Sequence, residues 1–446
     1  DDGPDADGHD ADGHDADGGH DADGHNADGH ELEDDPGDID HDNRADNDGL
    51  DLDDHRLLGD NHRRHHDAPH NDGRNRDDDN LDDRHLDERH LDERLDDRLD
   101  DRLDDDFDAV SRRRVAILAG GRSSEHDVSV DSARSVSAAL NSLGAEVTTI
   151  AIGRSGRWEL EQSSLEPAKA RELDRVGLPA GNVAEALQGV DVIFPLLHGP
   201  FGEDGTVQGL LELADVAYVG AGVAASAIAM DKDLFKAVLR SHGIPTPASL
   251  TIHTGQEVRN PFRYPVFVKP ARLGSSIGIA KAHNAAELES AAAAAFGHDD
   301  KILVEEFVEG VEVEVGVLGN REPLISLPGE IVLNGNEWYD YEAKYDEGKM
   351  DLVVPARISE AQSERARRLA LESFTAIGCE GMARVDMFVS TAGEVLVNEL
   401  NTIPGFTSTS VYAKLFAASG VEYGPLLETL IELALDRHER RRQLSY

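Results

Sequence analysis

The feature that most limits what this chain can fold into is an abrupt change of material near Val110. Residues 1–110 carry 43 acidic and 11 basic side chains, no lysine and 13 of the 20 histidines, for a net charge of -32. Residues 111–446 carry 47 acidic and 32 basic side chains, net -15, an ordinary balance for a soluble enzyme. The opening DADGHDADGHDADGGHDADGHNADGH is a near five-residue repeat with too few apolar groups to offset the entropy of ordering its backbone. The later LDDRHLDERHLDERLDDRLDDRLDD places leucine every five and then every four residues, so no sustained apolar stripe forms. A disordered acidic segment is therefore expected over 1–110, and only the remainder can build a large core. The residue menu of this prefix also matches read-through of GC-rich DNA, with Val110 as a GTG start codon. Native N-terminal peptides ending well upstream of Val110 would overturn that expectation.

The formal net charge of -47 argues against binding to nucleic acid or anionic membranes, which need a basic surface. A single cysteine, Cys379, excludes an intramolecular disulfide and any cysteine-based zinc cluster. No run of 18 apolar residues exists, and the first 30 residues contain no signal-peptide apolar segment. The expectation is a soluble, cytoplasmic protein.

Beyond Arg114 strands and helices alternate. RVAILAG reads as a buried parallel strand, Ser123 or Ser124 as the cap of a helix through about Leu140, and EVTTIAI, VDVIFPLL and VAYVG as further strands, with a helix over Thr206–Ala214. This predicts a parallel α/β domain over 111–220. The rest reads as α+β, divided into 221–310 and 311–446. Asp231–His242 is a helix, PVFVKP and IGIAKA are strands around ARLGSS, and Asn284 with Glu287 caps an alanine-rich helix. KILVEEFV and VEVEVGVLG are strands, Ser359 with Gln362 starts a helix, GMARVDMFV and EVLVNELN form a hairpin, and Pro425–Arg440 is a terminal helix.

The hairpin carries the strongest chemical signal. With Ala392-Gly393 as a two-residue turn, Asp386 faces Glu399 and Arg384 faces Asn401, all on one side of the sheet. Two carboxylates and an amide oxygen suit Mg²⁺, and an adjacent guanidinium suits an oxyanion or phosphate; an ordinary cross-strand charge network fits the same residues. In ARLGSS, Gly274, Ser275 and Ser276 can lay backbone N–H groups on phosphate oxygens with Lys269 as counter-charge, although the spacing is not that of a P-loop. Glu125 lies at a helix N-terminus beside a strand end, where dipole complementation is the plainer reading, and His198 leaves a buried strand into a glycine-rich loop.

GGRSSEHDVS, LLHGPFGEDGTVQG, MDKDLFK, VKPARLGSSIGIA, YDYEAKY, RVDMF and NELNTIPGFTSTS occur in the order and at the spacing of D-alanine–D-alanine ligases. The chain resembles that family of the ATP-grasp superfamily over 112–446 and not over 1–110. The resemblance implies an ATP-grasp fold behind an N-terminal parallel α/β (pre-ATP-grasp) domain, and ATP-dependent joining of two D-alanines through an acyl phosphate in peptidoglycan precursor synthesis. It implies ATP and two Mg²⁺ (or Mn²⁺) as cofactors and D-alanine as substrate; relatives are commonly homodimers, while the sequence itself leaves the oligomeric state open. It places Asp386, Glu399 and Asn401 on the metals. Lys232, Lys269 and Lys344 fall near the nucleotide phosphates with Ser275 and Ser276, Glu305, Glu306 and Val308 around adenine, and Glu312 on the ribose. Arg384 and the Gly405 N–H would hold the tetrahedral oxyanion. Glu125 would bind the first D-alanine's ammonium with His198 nearby, and Ser410 would meet the second's carboxylate. Ser275, Tyr345 and Glu125 would form a hydrogen-bonded trio, with EWYDYEAKYDEG as the mobile loop bearing Lys344 and Tyr345. Tyr345 fits dipeptide makers rather than D-alanyl-D-lactate ester makers and leaves a D-serine acceptor open. An acidic metal-buffering protein acting through its prefix is the alternative from a different class. Removing residues 1–110 separates the two: dipeptide formation by the truncated chain should equal that of the full chain.

Overall fold

The computed structural model describes residues 110–161, 187, 189–334 and 349–445. The acidic prefix and the loop bearing Lys344 and Tyr345 lie outside the described residues, and with them the expectations of disorder and of a mobile loop.

The first sheet contains β1 (Arg114–Gly120), β2 (Glu146–Ile152), β3 (Trp158–Glu161) and β4 (Val192–Pro195), in the order β3-β2-β1-β4. β1 pairs in parallel with both β2 and β4, as its unbroken apolar run requires, since both of its faces are covered. The sheet is not parallel throughout: β3 returns antiparallel along β2 after a short turn in which Gly153 N–H donates to Arg157 O at 2.8 Å. VAYVG contributes only an isolated bridge between Ile193 and Tyr218. Helix α1 (His126–Ser142) buries Ala133, Val136 and Leu140, but begins at Glu125 rather than under a serine cap. The Ser123 hydroxyl instead donates to His198 O at 2.7 Å and accepts from Glu125 N–H. Helices α2 (Thr206–Leu213), α3 (Val223–Met230) and α4 (Lys232–Ser241) follow, the last capped by Asp231 through the N–H groups of Asp233 and Leu234.

The second sheet is antiparallel, with β5 (Ser249–His253), β6 (Val266–Pro270), β7 (Ala280–Ala282) and β8 (Lys301–Glu306) in the order β5-β8-β6-β7. Helix α5 (Ala285–Phe296) covers it with Leu288, Ala291, Ala292 and Ala295, a spacing of one helical face. The third sheet holds β9 (Gly310–Gly319), β10 (Leu324–Ile325), β11 (Gly329–Leu333), β12 (Met350–Val353), β13 (Gly381–Ser390) and β14 (Val395–Asn401). Its order is β12-β11-β9-β13-β14, with β10 on β9. Helix α6 (Glu360–Ala376), opened by the Ser359/Gln362 capping box, packs on one face. Helices α7 (Val411–Ala418) and α8 (Tyr423–Arg442) join the first and third sheets in one core containing Phe194, Phe406, Tyr412 and Leu430.

The β13–β14 hairpin corrects the expected turn. Its loop has three residues, Thr391–Gly393: Ser390 and Glu394 bond across it, and Gly393 takes a left-handed φ of 90°. That connection alone would misalign the strands by one residue. A bulge between Asp386 and Met387 takes up the extra residue at Asn398, so Asp386 pairs with Glu399 and Arg384 with Asn401.

Asp231 links this frame to the site. Besides capping α4 it receives the buried Lys301 ammonium at 2.6 and 2.7 Å, with Asp233 farther away at 3.4 Å. Asp231→Ala leaves that ammonium short of a partner and should cost about 3 kcal/mol of stability. Urea unfolding checks this, and Asp231→Asn, which keeps a side-chain acceptor, should lose less.

Candidate active site

A cleft of about 330 Å³ opens between the second and third sheets. Its apolar wall includes Phe267, Phe307, Val308 and Ile331, with the two phenylalanine rings 6.1 Å apart. Lys232, Lys269, Ser276, Glu305, Glu306, Glu312 and Glu399 line the same space, so residues separated by more than 160 positions in sequence share one cavity. The second-sheet strands supply Lys269 and Glu305, while α4 supplies Lys232. Lys232 Nζ donates to Leu273 O at 2.7 Å and lies 3.5 Å from Glu399. Lys269 Nζ donates to Glu305 at 2.6 Å and to Asn398 Oδ1 at 3.2 Å. Glu305 is 1% exposed and also pairs with the wholly buried Lys236 at 2.9 Å. Burial pushes the Glu305 carboxyl up, but the Lys236 and Lys269 charges outweigh it and hold it below the usual carboxylate range. Burial conversely lowers the Lys236 ammonium's pKa, against the pull of Glu305.

Beside Lys232 and Lys269, Glu314, Asp386 and Glu399 lie abreast on β9, β13 and β14. Three like charges on one row repel unless neutralised. Arg384 does that locally: its guanidinium makes two 2.7 Å hydrogen bonds to Asp386 and lies 3.0 Å from Glu314. Asn401 Nδ2 donates to Asp386 at 2.9 Å. Among the described residues no group of three or more His, Cys, Asp and Glu is arranged to hold a metal; Asp386 and Glu399 reach three ligands only with the Asn401 amide.

The third corner is Glu125. Its carboxylate makes no capping bond to α1 and accepts from Ser275. Gly199, with φ 72°, and Gly274 both border it closely; a Cβ on Gly199 would sit 2.5 Å from the Glu125 carboxylate. Ser275 and Ser276 hold left-handed φ values of 50° and 56°, a conformation that costs a non-glycine residue energy and that sharply turns the loop. His198 is buried, its pKa lowered chiefly by desolvation. Its Nδ1 lies 2.9 Å from Ile403 O, an atom that can only accept, so Nδ1 carries the proton. Glu203 accepts from Gly199 N–H at 2.8 Å and Ile403 N–H at 3.2 Å. The Thr407 N–H donates to Ser410 Oγ at 2.9 Å, and Gly405 precedes them in the same loop.

The chain matches the family models described as D-ala D-ala ligase N-terminus over residues 114–221 and D-ala D-ala ligase C-terminus over 238–432. It is 43% identical over 364 residues to the D-alanine–D-alanine ligase of Chloroherpeton thalassium, covering 75% of this chain and 99% of that one. The chain belongs to the D-alanine–D-alanine ligase family. Among solved structures, it resembles the VanG D-Ala:D-Ser ligase of Enterococcus faecalis with a TM-score of 0.64 at 35% identity, over 73% of this chain and all of that one. It resembles the Bacillus anthracis D-alanine–D-alanine ligase complexed with ATP with a TM-score of 0.60 at 26% identity, over 74% and 99%. The fold of the ligase is ATP-grasp, with a largely parallel α/β sheet at its N-terminal side.

Four buried or half-buried groups in and around this cleft escaped the sequence reading: Lys236, Glu314, Asn398 and Glu203. Lys236 follows Lys232 by one helical turn, and Glu314 follows Glu312 by one strand period, so both had a readable spacing. Asn398 depends on the bulge, and Glu203 on a loop meeting β14's end, for which no local signal exists. Desolvation, followed by the Glu125 charge, pushes the Glu203 carboxyl up to about 8. A carboxyl raised in the folded state binds more protons there than in the unfolded chain, so its stabilising effect is lost as pH climbs from about 4.5 toward 8. Glu203→Gln removes that loss. Urea unfolding at pH 5 and pH 8 should show the wild type declining relative to the variant.

Proposed function

We propose that this ligase joins two D-alanines to D-alanyl-D-alanine at the expense of ATP, by way of an acyl phosphate. The observation that carries the reading is the convergence of Lys232, Lys269 and Glu399 on one cleft, with Asp386 paired to Glu399 and Arg384 beside it. ATP takes the apolar wall with its base and the lysines with its phosphates. The carboxylate of the first D-alanine attacks the γ-phosphorus, releasing ADP. The amine of the second then attacks the acyl carbon, and phosphate leaves after a tetrahedral stage whose negative charge Arg384 and the Gly405 N–H meet. Glu125 holds the first ammonium with His198 nearby, and Ser410 receives the second carboxylate. Lys344 and Tyr345, to which the family resemblance gives phosphate and closure roles, lie outside the described residues.

The donor set of two carboxylates and one amide fits Mg²⁺, a hard cation that prefers oxygen. Asp386, Glu399 and Asn401 would hold it, and when bound it neutralises phosphate charge. Arg384 must then exchange part of its hold on Asp386 for the reacting groups. The three parts of the proposed division are 111–220 on the substrate side, 221–310 on the adenine side and 311–446 bearing metal and oxyanion groups. The reaction belongs to a cytoplasmic peptidoglycan-precursor route, and a homodimer follows the family. D-Serine as acceptor is the second reading, favoured by the likeness to a D-Ala:D-Ser ligase.

With ATP, Mg²⁺ and D-alanine the purified protein should release phosphate and give a dipeptide identifiable by mass. A product formed with D-serine but not with D-alanine alone would overturn the acceptor assignment. Asp386→Asn and Glu399→Gln should each lower kcat more than about a hundredfold, beyond the cost of losing a group that merely supports a metal ligand, with an unchanged far-ultraviolet circular dichroism spectrum. Arg384→Met should raise the barrier by about 2.7–4 kcal/mol, the scale of one oxyanion donor, measured as loss of kcat at saturating D-alanine.

A further inference from the structure

The loop between β14 and α7 presents the Gly405 N–H and Ser410, yet its own backbone does little to fix it. Between Ile403 and Phe406, Gly405 N–H takes no partner among the described residues. Two hydroxyl relays from outside the loop fasten it instead. In the first, Phe406 N–H donates to Ser132 Oγ at 3.2 Å, and Ser132 Oγ lies 3.4 Å from His198 Nε2. Because His198 Nδ1–H is committed to Ile403 O, Nε2 is the acceptor, so the Ser132 hydroxyl proton points to it. This relay starts and ends on the loop. In the second, Ser408 N–H donates to Ser135 Oγ at 3.2 Å, Ser135 lies 3.2 Å from Tyr423 OH, and Tyr423 OH donates to Phe406 O at 2.9 Å. It too starts and ends on the loop.

Ser132 and Ser135 are one turn apart on the same face of α1, and Tyr423 opens α8. Between the relays the Phe406 ring is fully buried, 5.5 Å from Phe194 and 5.9 Å from Tyr423. The tethered residues Ile403, Phe406 and Ser408 thus bracket Gly405 on both sides. Nothing in the fold of α1 requires these hydroxyls, since its apolar face already packs through Ala133, Val136 and Leu140.

We propose that Ser132, Ser135 and Tyr423 are positioning residues, which hold the 403–410 loop of the third sheet against α1 so that Gly405 and Ser410 meet the second amino acid. The proposal rests on the ligase reading of that loop. They touch no reacting atom, and they act through the loop that meets the acceptor. ATP binding, which depends on the lysines, is independent of them.

The test uses the full chain with Ser132→Ala, Ser135→Ala and Tyr423→Phe, assayed with ATP and Mg²⁺ over a wide range of D-alanine so that two D-alanine constants separate. Each variant should raise the KM of the second D-alanine, or lower kcat, about three- to tenfold, the scale of one neutral hydrogen bond. The KM for ATP should stay at the wild-type value. Unchanged acceptor constants, or an ATP KM that moves in the same proportion, would mean that the hydroxyls only support the fold and would overturn the proposal. Should Ser132→Ala fail to fold, the half-buried Ser135 and Tyr423 decide alone by the same criteria. A wild-type protein that makes no dipeptide defeats the ligase reading and this proposal together; a productive wild type with unmoved variants defeats only the proposal.

Discussion

Mutual neutralisation of buried charge organises this molecule. Lys236, Lys269, Glu305, Asp386, Glu314 and Arg384 are all removed from most or all contact with water, and any one left unpaired would cost several kcal/mol. The lysines share Glu305, and Arg384 spans Asp386 and Glu314. A site assembled in this way keeps strong charges in place before any nucleotide arrives. On the proposed reading the lysines need little reorganisation when phosphates bring negative charge, and Arg384 gives up only part of its hold on Asp386.

Some of these contacts cross between layers, Lys236 to Glu305, Lys232 to Glu399 and Lys269 to Asn398, and so also fix the geometry between them. Lys236 and Lys232 ride on α4, Lys269 and Glu305 on the second sheet, and Asn398, Glu399 and Asp386 on the third. The corner around Glu125 is built by different means. There, glycines and serines dominate: Gly199 and Gly274 leave room around Glu125, while the Ser132 and Ser135 hydroxyls tie down the 403–410 loop. Charge pairs thus shape the cleft at Lys232 and Lys269, while small neutral groups surround the Glu125 carboxylate.

Much of this was legible in the chain. The unbroken apolar run of β1, the Ser359/Gln362 capping box and the Asn284 cap act through neighbours in sequence, and each forms where its local chemistry dictates. Other elements were hidden for the same reason. The helix start at Glu125 depends on Ser123 being drawn to His198 O, a partner 75 residues away. β3 is recognisable only once β2 offers it an edge. The hairpin register is the instructive case: a three-residue loop and a one-residue bulge shift the strands in opposite senses, so a simpler turn leads to the same Asp386–Glu399 pairing.

Composition, periodicity and motif order by themselves determined that the chain changes character at Val110, that an α/β part precedes an α+β part, and which residue types could meet ATP. These are properties of contiguous segments, set by burial period and turn chemistry. Only the tertiary structure decided that Arg384 rests between Glu314 and Asp386, that Glu305 answers to two lysines, and that loop residues 403–408 are fastened to α1 and α8. Those facts depend on desolvation and on partners tens to hundreds of positions apart, and the energy of a charge or a hydroxyl is not defined until its surroundings are closed around it.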